Sequence, residues 1–173
     1  MTAQQTAPGT ALGRLFSGRS AGLLAAAGSV GLLGAALVFQ YGLGLPPCEL
    51  CIWQRWPHLA AAMAGAGLLL LPGAHWVVLG SVGAATSGGI GVYHTGVERG
   101  WWPGPDTCAA DTGDLGSLSA EDLLNRIMAA PVTRCEDVVW DMLGLSMASW
   151  NALASFTLAG LWLMTFRRLR SPA

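Results

Sequence analysis

Lysine is absent from this chain, and all nine basic residues are arginines. Charge of either sign is scarce, because Asp, Glu, Lys and Arg make up 11% of the 173 residues, whereas soluble domains carry about 25%. The chain also lacks a basic excess, since its formal net charge is −1. These shortages argue against a water-facing globule and against nucleic acid as a partner. The hydrophobic share of 53% excludes a disordered chain.

Long apolar stretches are what the chain has instead. Crossing a bilayer takes about 20 apolar residues, and three uncharged stretches come close to or reach that length: 21–40, 75–95 and 149–166. A shorter run at 59–71 qualifies only if its helix begins near Cys51 or Ile52. The sequence thus predicts an all-α integral membrane four-helix bundle, forming one domain over 1–173.

The predicted second span, 52–71, carries two residues that need an explanation. Arg55 would lie in its first turns at the membrane surface. Pro57 would be an early-helix residue, where a missing N–H is least harmful.

The distribution of charge predicts the orientation. All ten acidic residues lie between Glu49 and Asp141, whereas five of the nine arginines flank the first and last spans. Positive residues near span ends favour the cytoplasmic side, so both termini are predicted to be cytoplasmic, which requires an even number of spans. Two loops, 41–51 and 96–148, then face the other side. Tryptophans mark both boundaries as an interfacial belt would, with Trp162 near the cytoplasmic one.

Small residues recur at four-residue spacing in the third span: Gly80, Ala84, Gly88 and Gly83, Ser87, Gly91. Such spacing predicts a close helix-packing face without a chemical role.

The second loop contains an amphipathic segment, Ser119–Ala130, which Ser119 can cap with Asp122 near the N3 position. It predicts a short helix that lies on the membrane surface or, alternatively, covers the end of the bundle.

The four cysteines, Cys48, Cys51, Cys108 and Cys135, all lie in the two segments predicted to face away from the cytoplasm. In a bacterial cell that compartment is oxidising, so disulfides are the default. The spacing is not the repeated C-x-x-C pattern of zinc sites, and we predict no metal site. Two inert disulfides that staple the loops remain an alternative, above all for Cys108 and Cys135.

The C-x-x-C pair Cys48 and Cys51 favours redox chemistry over stapling. Its disulfide would close a very small ring and constrain the unfolded chain little, whereas adjacent thiols are typical of thiol exchange. Arg55 lies one helical turn after Cys51, and a helix N-terminus nearby would also favour the thiolate. The acidic Glu49 between the two cysteines opposes formation of the thiolate slightly. Contact with lipid headgroups is the alternative role for Arg55.

His94 ends the third span on the same side as the cysteines. An interfacial hydrogen-bonded histidine is the alternative to a functional one. His58 and His75 receive no predicted role.

Three segments carry a family resemblance. The stretch from Pro47 to Arg55, PCELCIWQR, resembles the first-loop signature of the disulfide bond formation protein B (DsbB) family. Residues 93–98 with 101–108 resemble the start of its second loop, and Cys135 with 140–147 resembles the exit into its last span. The resemblance covers about 45–150 in order.

This resemblance implies an enzyme of the bacterial inner membrane that reoxidises a periplasmic DsbA-like thioredoxin-fold protein and passes the electrons to a membrane quinone, ubiquinone or menaquinone. It implies that the partner attacks Cys108 and that Cys135, the pair of Cys108, then attacks Cys48. Cys51 would reduce the quinone.

The resemblance also implies two quinone-binding residues: Arg55 would hold a carbonyl oxygen, and His94 would lie near the ring. Two other functions remain open: a structural tetraspan protein with stapled loops, and a quinone-coupled reductase resembling vitamin K epoxide reductase.

Overall fold

The computed structural model describes residues 18–71, 73–105, 119–129 and 133–170. Cys108 lies outside these ranges. The elements in chain order are α1 (Gly18–Leu37), which continues as a π-helix (Val38–Gly42), α2 (Glu49–Leu70), α3 (Ala74–Glu98), α4 (Ala120–Ala129), β1 (Asp141–Met142), β2 (Leu145–Ser146) and α5 (Met147–Arg170).

The four long helices contact one another in the order α1, α2, α3, α5, and α5 closes back on α1. The small residues of α3 form a buried packing face, as their spacing predicts. At Gly83 a Cβ atom would lie 2.7 Å from the carbonyl oxygen of Pro57 in α2. Only glycine therefore allows this approach of α3 to α2.

Membrane-crossing character is uneven among these helices. Within the described residues, two helices have the length and hydropathy to cross a membrane, Arg19–Gly42 and Ala74–Glu98. Helices α2 and α5 are long enough, with 22 and 24 residues, but they carry polar side chains such as Gln54, His58 and Asn151. The protein is thus mostly helical with two apolar spans, and the four-span topology stays a prediction.

Helix α2 begins earlier than predicted. Its first residue is Glu49, and Cys48 is its N-cap, with the Sγ atom accepting a hydrogen bond of 3.3 Å from the backbone N–H of Cys51. The early start places Cys51 within the first turn. Pro57 then lies inside the helix, so its prediction as an early-helix residue is wrong.

A short hairpin precedes α5, which the all-α prediction missed. Asp141 pairs with Ser146 and Met142 with Leu145. The two turn residues both have positive φ, 55° at Leu143 and 74° at Gly144. This combination is the type I′ turn of two-residue hairpins.

Helix α4 confirms the predicted amphipathic helix at Ala120–Ala129. The hydroxyl oxygen of Ser119 accepts a hydrogen bond of 3.1 Å from the backbone N–H of Asp122, which is the predicted cap. Leu124 and Met128 are exposed. Contact of this helix with a membrane surface stays a prediction.

The largest core cluster lies away from the cysteines and centres on Trp162. This side chain is fully buried, so its prediction as an interfacial anchor is wrong. It packs on small residues: a Cβ atom at Gly80 would lie 2.3 Å from the indole. Buried residues from the other three long helices complete the cluster: Ala25, Ala26, Ala64, Leu68, Val77 and Ala84.

Candidate functional site

The C-x-x-C pair lies at the N-terminus of α2. Cys48 is buried, Cys51 is half-buried, and both carry free thiols. Their Sγ atoms are 3.0 Å apart, with Cys48 donating to Cys51. The capping geometry of Cys48 thus holds the two sulfurs close enough to join by a small movement.

The two sulfurs differ in acidity. The hydrogen bond from Cys48 lowers the pKa of Cys51, and the Arg55 guanidinium lowers it further, while burial and the Glu98 carboxylate oppose them. The same Cys48–Cys51 bond and burial raise the pKa of Cys48. In the reduced pair the proton therefore stays on Cys48, and Cys51 carries the charge.

Cys135 lies against this pair. It is buried and belongs to one cluster with Cys48, Leu50 and Val97, on which Cys51 also packs. Cys135 is disulfide-bonded. The structure thus brings a cysteine of the second loop into contact with the cluster around the first pair, although 86 residues separate Cys135 from Cys48 in the sequence.

His94 joins the cysteine pair from α3. Its Nε2 atom lies 3.5 Å from the Sγ atom of Cys48, and its Nδ1 atom lies 3.0 Å from Nε2 of Gln54. An amide nitrogen can only donate, so Nδ1 is the acceptor and Nε2 carries the hydrogen that faces Cys48. The Cys48 and Cys51 sulfurs and a ring nitrogen all lie within 4.8 Å of one another. The expected absence of a metal site stays a prediction.

Arg55 is held by the protein itself. Its Nη1 atom donates a hydrogen bond of 2.6 Å to Oε1 of Gln40, which lies in the π-helix that extends α1. This contact fixes the guanidinium beside Cys51, on the predicted face of α2.

An apolar cavity of about 340 Å³ opens beside Cys51 and Arg55, between α1, α2, the hairpin and α5. Its volume is within the range of small-molecule sites. Apolar side chains form most of its wall, among them Leu32, Phe39 and Trp140. Its polar groups come from five residues: Cys51, Gln54, Arg55, His58 and Asn151.

An apolar ligand with a flat ring and a carbonyl oxygen would meet three complementary features in this cavity. The cavity offers an apolar wall for a flat ring, a guanidinium for a carbonyl oxygen and a sulfur that carries charge in the reduced state. His94 is not among the residues that line the cavity in the described part of the chain. Its contacts are instead with Cys48, Gln54, Glu98 and the backbone of Cys135.

The sequence analysis missed a group of polar residues inside the helices. Nε2 of the buried His58 lies 3.1 Å from Oδ1 of Asn151. Nδ2 of Asn151 in turn donates a hydrogen bond of 2.6 Å to Oε1 of Gln54. The available signal was a four-residue spacing, since Gln54 precedes His58 by one turn and Asn151 precedes Ser155 by one turn. Polar residues inside apolar helices face one another and not lipid.

Comparisons with known proteins agree with this geometry. The family model for disulfide bond formation protein DsbB matches residues 18–165. A disulfide bond formation protein B of Aromatoleum aromaticum is 30% identical over 165 residues, which cover 90% of this chain and 96% of the relative.

Two further relatives carry the same name. The protein of Pasteurella multocida is 28% identical and covers 90% of this chain and 92% of its own length. The protein of Shewanella sp. strain MR-4 is 30% identical, and the match covers 84% of this chain and 85% of the relative. No solved structure matches the chain significantly. The family model spans most of the chain, so this protein belongs to the DsbB family of disulfide bond formation proteins.

Proposed function

We propose that the protein reoxidises a periplasmic DsbA-like thiol oxidase and passes the electrons through its two cysteine pairs to a membrane quinone. One observation carries the proposal: Cys135 is buried in one cluster with Cys48, while Cys51 opens on an apolar cavity beside Arg55. The first contact serves thiol exchange, and the second serves transfer to a lipid-soluble acceptor.

The exchange steps follow from this arrangement. The partner's thiolate attacks Cys108 and displaces Cys135 as a thiolate. Cys135 then attacks Cys48, and the Cys48–Cys51 bond breaks. Each step forms one disulfide bond and cleaves one. Cys51 leaves as the thiolate, which is the form that its pKa favours.

Energetics explain why an acceptor in the bilayer is needed. DsbA, the standard example of an oxidising disulfide, has a potential near −120 mV, whereas structural disulfides lie below about −300 mV. An ordinary disulfide would thus face a gap of about 180 mV, or roughly 8 kcal/mol. A bound quinone would supply a two-electron, two-proton acceptor. Arg55 would hold its carbonyl oxygen, and the hydrogen on Nε2 of His94 would stabilise Cys48 during exchange.

The proposed topology has spans at about 21–40, 52–71, 75–95 and 149–166, both termini in the cytoplasm and both loops in the periplasm of the inner membrane. Arginines at the two ends of the chain support it. Reporter fusions at Thr112 and after Ala173 test it. They should appear on opposite sides of the membrane, and detection on the same side would refute four spans.

The activity is tested with the full chain in detergent, a reduced DsbA-like protein, and ubiquinone or menaquinone. We expect one quinone reduced for each partner oxidised, and no turnover from Cys108→Ser. Cys135→Ser should accumulate a mixed disulfide between Cys108 and the partner on non-reducing gels. Quinone reduction by a small-molecule reductant alone, with the protein partner inert, would favour a reductase of the vitamin K epoxide type. Cysteines that stay oxidised throughout exposure to the reduced partner would favour a structural protein whose loops are held by inert disulfides.

A further inference from the structure

A continuous chain of hydrogen bonds runs through the interior of the protein and ends at Cys51. It crosses between elements at every step except the last, which lies within the cap and first turn of α2, and Oε1 of Glu98 lies 3.9 Å from Nε2 of His94 at its side. Its members, in spatial order, are Ser29 (α1), His58 (α2), Asn151 (α5), Gln54 (α2), His94 (α3), Cys48 and Cys51.

The orientation of Asn151 sets the direction of the chain. Its Nδ2 atom lies 3.5 Å from the backbone oxygen of Ser87, which can only accept. The same Nδ2 atom lies 3.2 Å from the hydroxyl of Ser87, which donates its own hydrogen to the backbone oxygen of Gln54. Nδ2 of Asn151 is therefore the donor side, and Oδ1 faces His58 and accepts from its Nε2.

The remaining groups follow from that orientation. Oε1 of Gln54 accepts from Asn151, so Nε2 of Gln54 donates to Nδ1 of His94. His94 then presents its Nε2 hydrogen to Cys48, and Cys48 donates to Cys51. At the far end, Nδ1 of His58 is left to accept from the hydroxyl of Ser29. Every bond thus points the same way, with its acceptor end toward Cys51.

We propose that this chain is a positioning device that stabilises the negative charge on Cys51 and so favours the reduced form of the Cys48–Cys51 pair. Hydrogen bonds aligned head to tail polarise one another, by roughly 10–30% per bond. In an apolar interior such aligned dipoles are weakly screened. Gln54, Asn151 and His58 would therefore act on Cys51 through Cys48 and His94.

Charged groups near Cys51 act beside the chain. Arg55, on the same helix, favours the thiolate, and Glu98 of α3 opposes it. His94 of α3 is the other titratable side chain of that helix at the pair. Its Nε2 atom lies 3.5 Å from the Sγ atom of Cys48 and 3.9 Å from Oε1 of Glu98, while the ring also bonds the backbone of Cys135. The lowered pKa of Cys51 has its hydrogen bond from Cys48 as the largest cause. That bond is the last link of the chain.

A redox equilibrium with glutathione measures the effect directly. Reduction of the Cys48–Cys51 disulfide takes two electrons from two glutathione thiols, which join as one glutathione disulfide. One of the two protons stays on Cys48, and the other leaves to solvent because Cys51 remains a thiolate. Any loss of charge stabilisation at Cys51 thus shifts this equilibrium toward the oxidised pair.

The variants are Gln54→Leu, Asn151→Leu and His58→Leu, each in the full chain in detergent with Cys108 and Cys135 both changed to serine. We expect the equilibrium constant for reduction to fall by about tenfold for Gln54→Leu, which corresponds to about 30 mV. The decrease should be smaller for Asn151→Leu and smallest for His58→Leu, since polarisation weakens with each link. Ultraviolet absorbance of the Cys51 thiolate should fall in the same order.

Thr165→Val is the matched control. Its hydroxyl is buried in α5 and, among the described residues, donates within that helix to the carbonyl of Leu161, so the equilibrium should not change. Ser29→Ala replaces His58→Leu if the latter does not fold, with a small shift expected. Equal shifts for all positions, or loss of stability without any redox shift, would overturn the proposal. A chelator in every sample excludes metal effects.

The proposal rests on the proposed function only in treating Cys48 and Cys51 as a redox pair. The assay contains neither quinone nor partner, so the two can fail separately. A graded shift without quinone turnover would support the chain and contradict the acceptor. Quinone turnover without a graded redox shift would support the quinone as acceptor and contradict the role of the hydrogen-bond chain.

Discussion

The two ends of the helix assembly are built on opposite rules. Around Trp162 the helices meet through alanine, glycine and leucine, and the side chains fill the space almost without polar contacts. Around Cys48 the same helices meet through amides, imidazoles and hydroxyls joined in one direction. Burial of polar groups costs free energy unless each is paired. Such a network therefore indicates function, and the Trp162 end supplies the packing that holds it in register.

The sharpest test of this contrast is Cys51→Ser. Serine keeps the size of the side chain and leaves the Cys48 cap in place, so folding should be nearly unaffected. Quinone reduction should fall to background because a thiolate, not a hydroxyl, is the nucleophile. The measurement is quinone absorbance with the reduced partner. Appreciable turnover by this variant would show that the acceptor draws electrons from another sulfur.

Trp162→Ala should have the reverse profile. Removing a fully buried indole creates a cavity and costs about 3–5 kcal/mol of stability. Thermal unfolding in detergent measures the loss. The glutathione equilibrium of the remaining folded protein should match wild type, because the polar chain is not touched. A large redox shift would mean that the two ends are not independent.

The same contrast explains what the sequence could predict. The C-x-x-C pair, the order of the helices and the packing face of α3 follow from local spacing, and the structure agrees. The sequence places the start of α2 too late because cysteine is not a usual N-cap residue. In the structure Cys48 is the N-cap of this helix. The sequence places Trp162 at the membrane interface because composition does not show which tryptophans pack against glycine in the interior.

The polar chain needed information that spacing does not contain. Its links join residues as far apart in sequence as Gln54 and Asn151, so they depend on the mutual register of four helices. The hairpin was missed for a local reason. A leucine with positive φ, as at Leu143, is rare, and only the following glycine signals a turn.

Arg55→Met sharpens the comparison within the polar end. Losing one charge-assisted contact of about 1.5–3 kcal/mol should slow quinone reduction by roughly 10- to 150-fold. Partner exchange at Cys108 should stay near normal, since Arg55 contacts Gln40 and the cavity. Steady-state kinetics at varied quinone and stopped-flow mixed-disulfide formation separate these steps. Unchanged quinone kinetics would make Arg55 a membrane anchor.

Alkylation of the reduced protein compares the two sulfurs. The pKa of Cys51 is lowered by its bond from Cys48, and that of Cys48 is raised. Below the ordinary pKa of a cysteine thiol, about 8.5, Cys51 should therefore react faster than Cys48. Its labelling should persist as pH falls until the pKa of Cys51 is passed. The charge stabilisation of the reduced fold disappears over that same range.

Peptide mass spectrometry after iodoacetamide treatment resolves the two sites. Cys48→Ala removes the side chain that donates to Cys51 and should narrow the range of pH over which Cys51 reacts. Alanine is the replacement because serine at this position would keep a donor. Earlier labelling of Cys48 than of Cys51 would reverse the assigned roles.

The smallest effect concerns the turn that supports the cavity wall. Gly144 has a φ of 74°, so Gly144→Ala should cost about 1 kcal/mol of stability. The preceding Leu143 has a φ of 55°, and Leu143→Asn should be stabilising by a similar amount or less, because asparagine tolerates this conformation. The hairpin is tied to α5 by a 3.1 Å hydrogen bond from Trp150 to Met142, and Met142 lines the cavity. The thermal unfolding temperature should thus fall for Gly144→Ala and rise for Leu143→Asn. Quinone affinity should change in the same direction as the stability of the hairpin. Equal and negligible shifts would show that the turn is not a support of the cavity, and that the polar end depends on its helices alone.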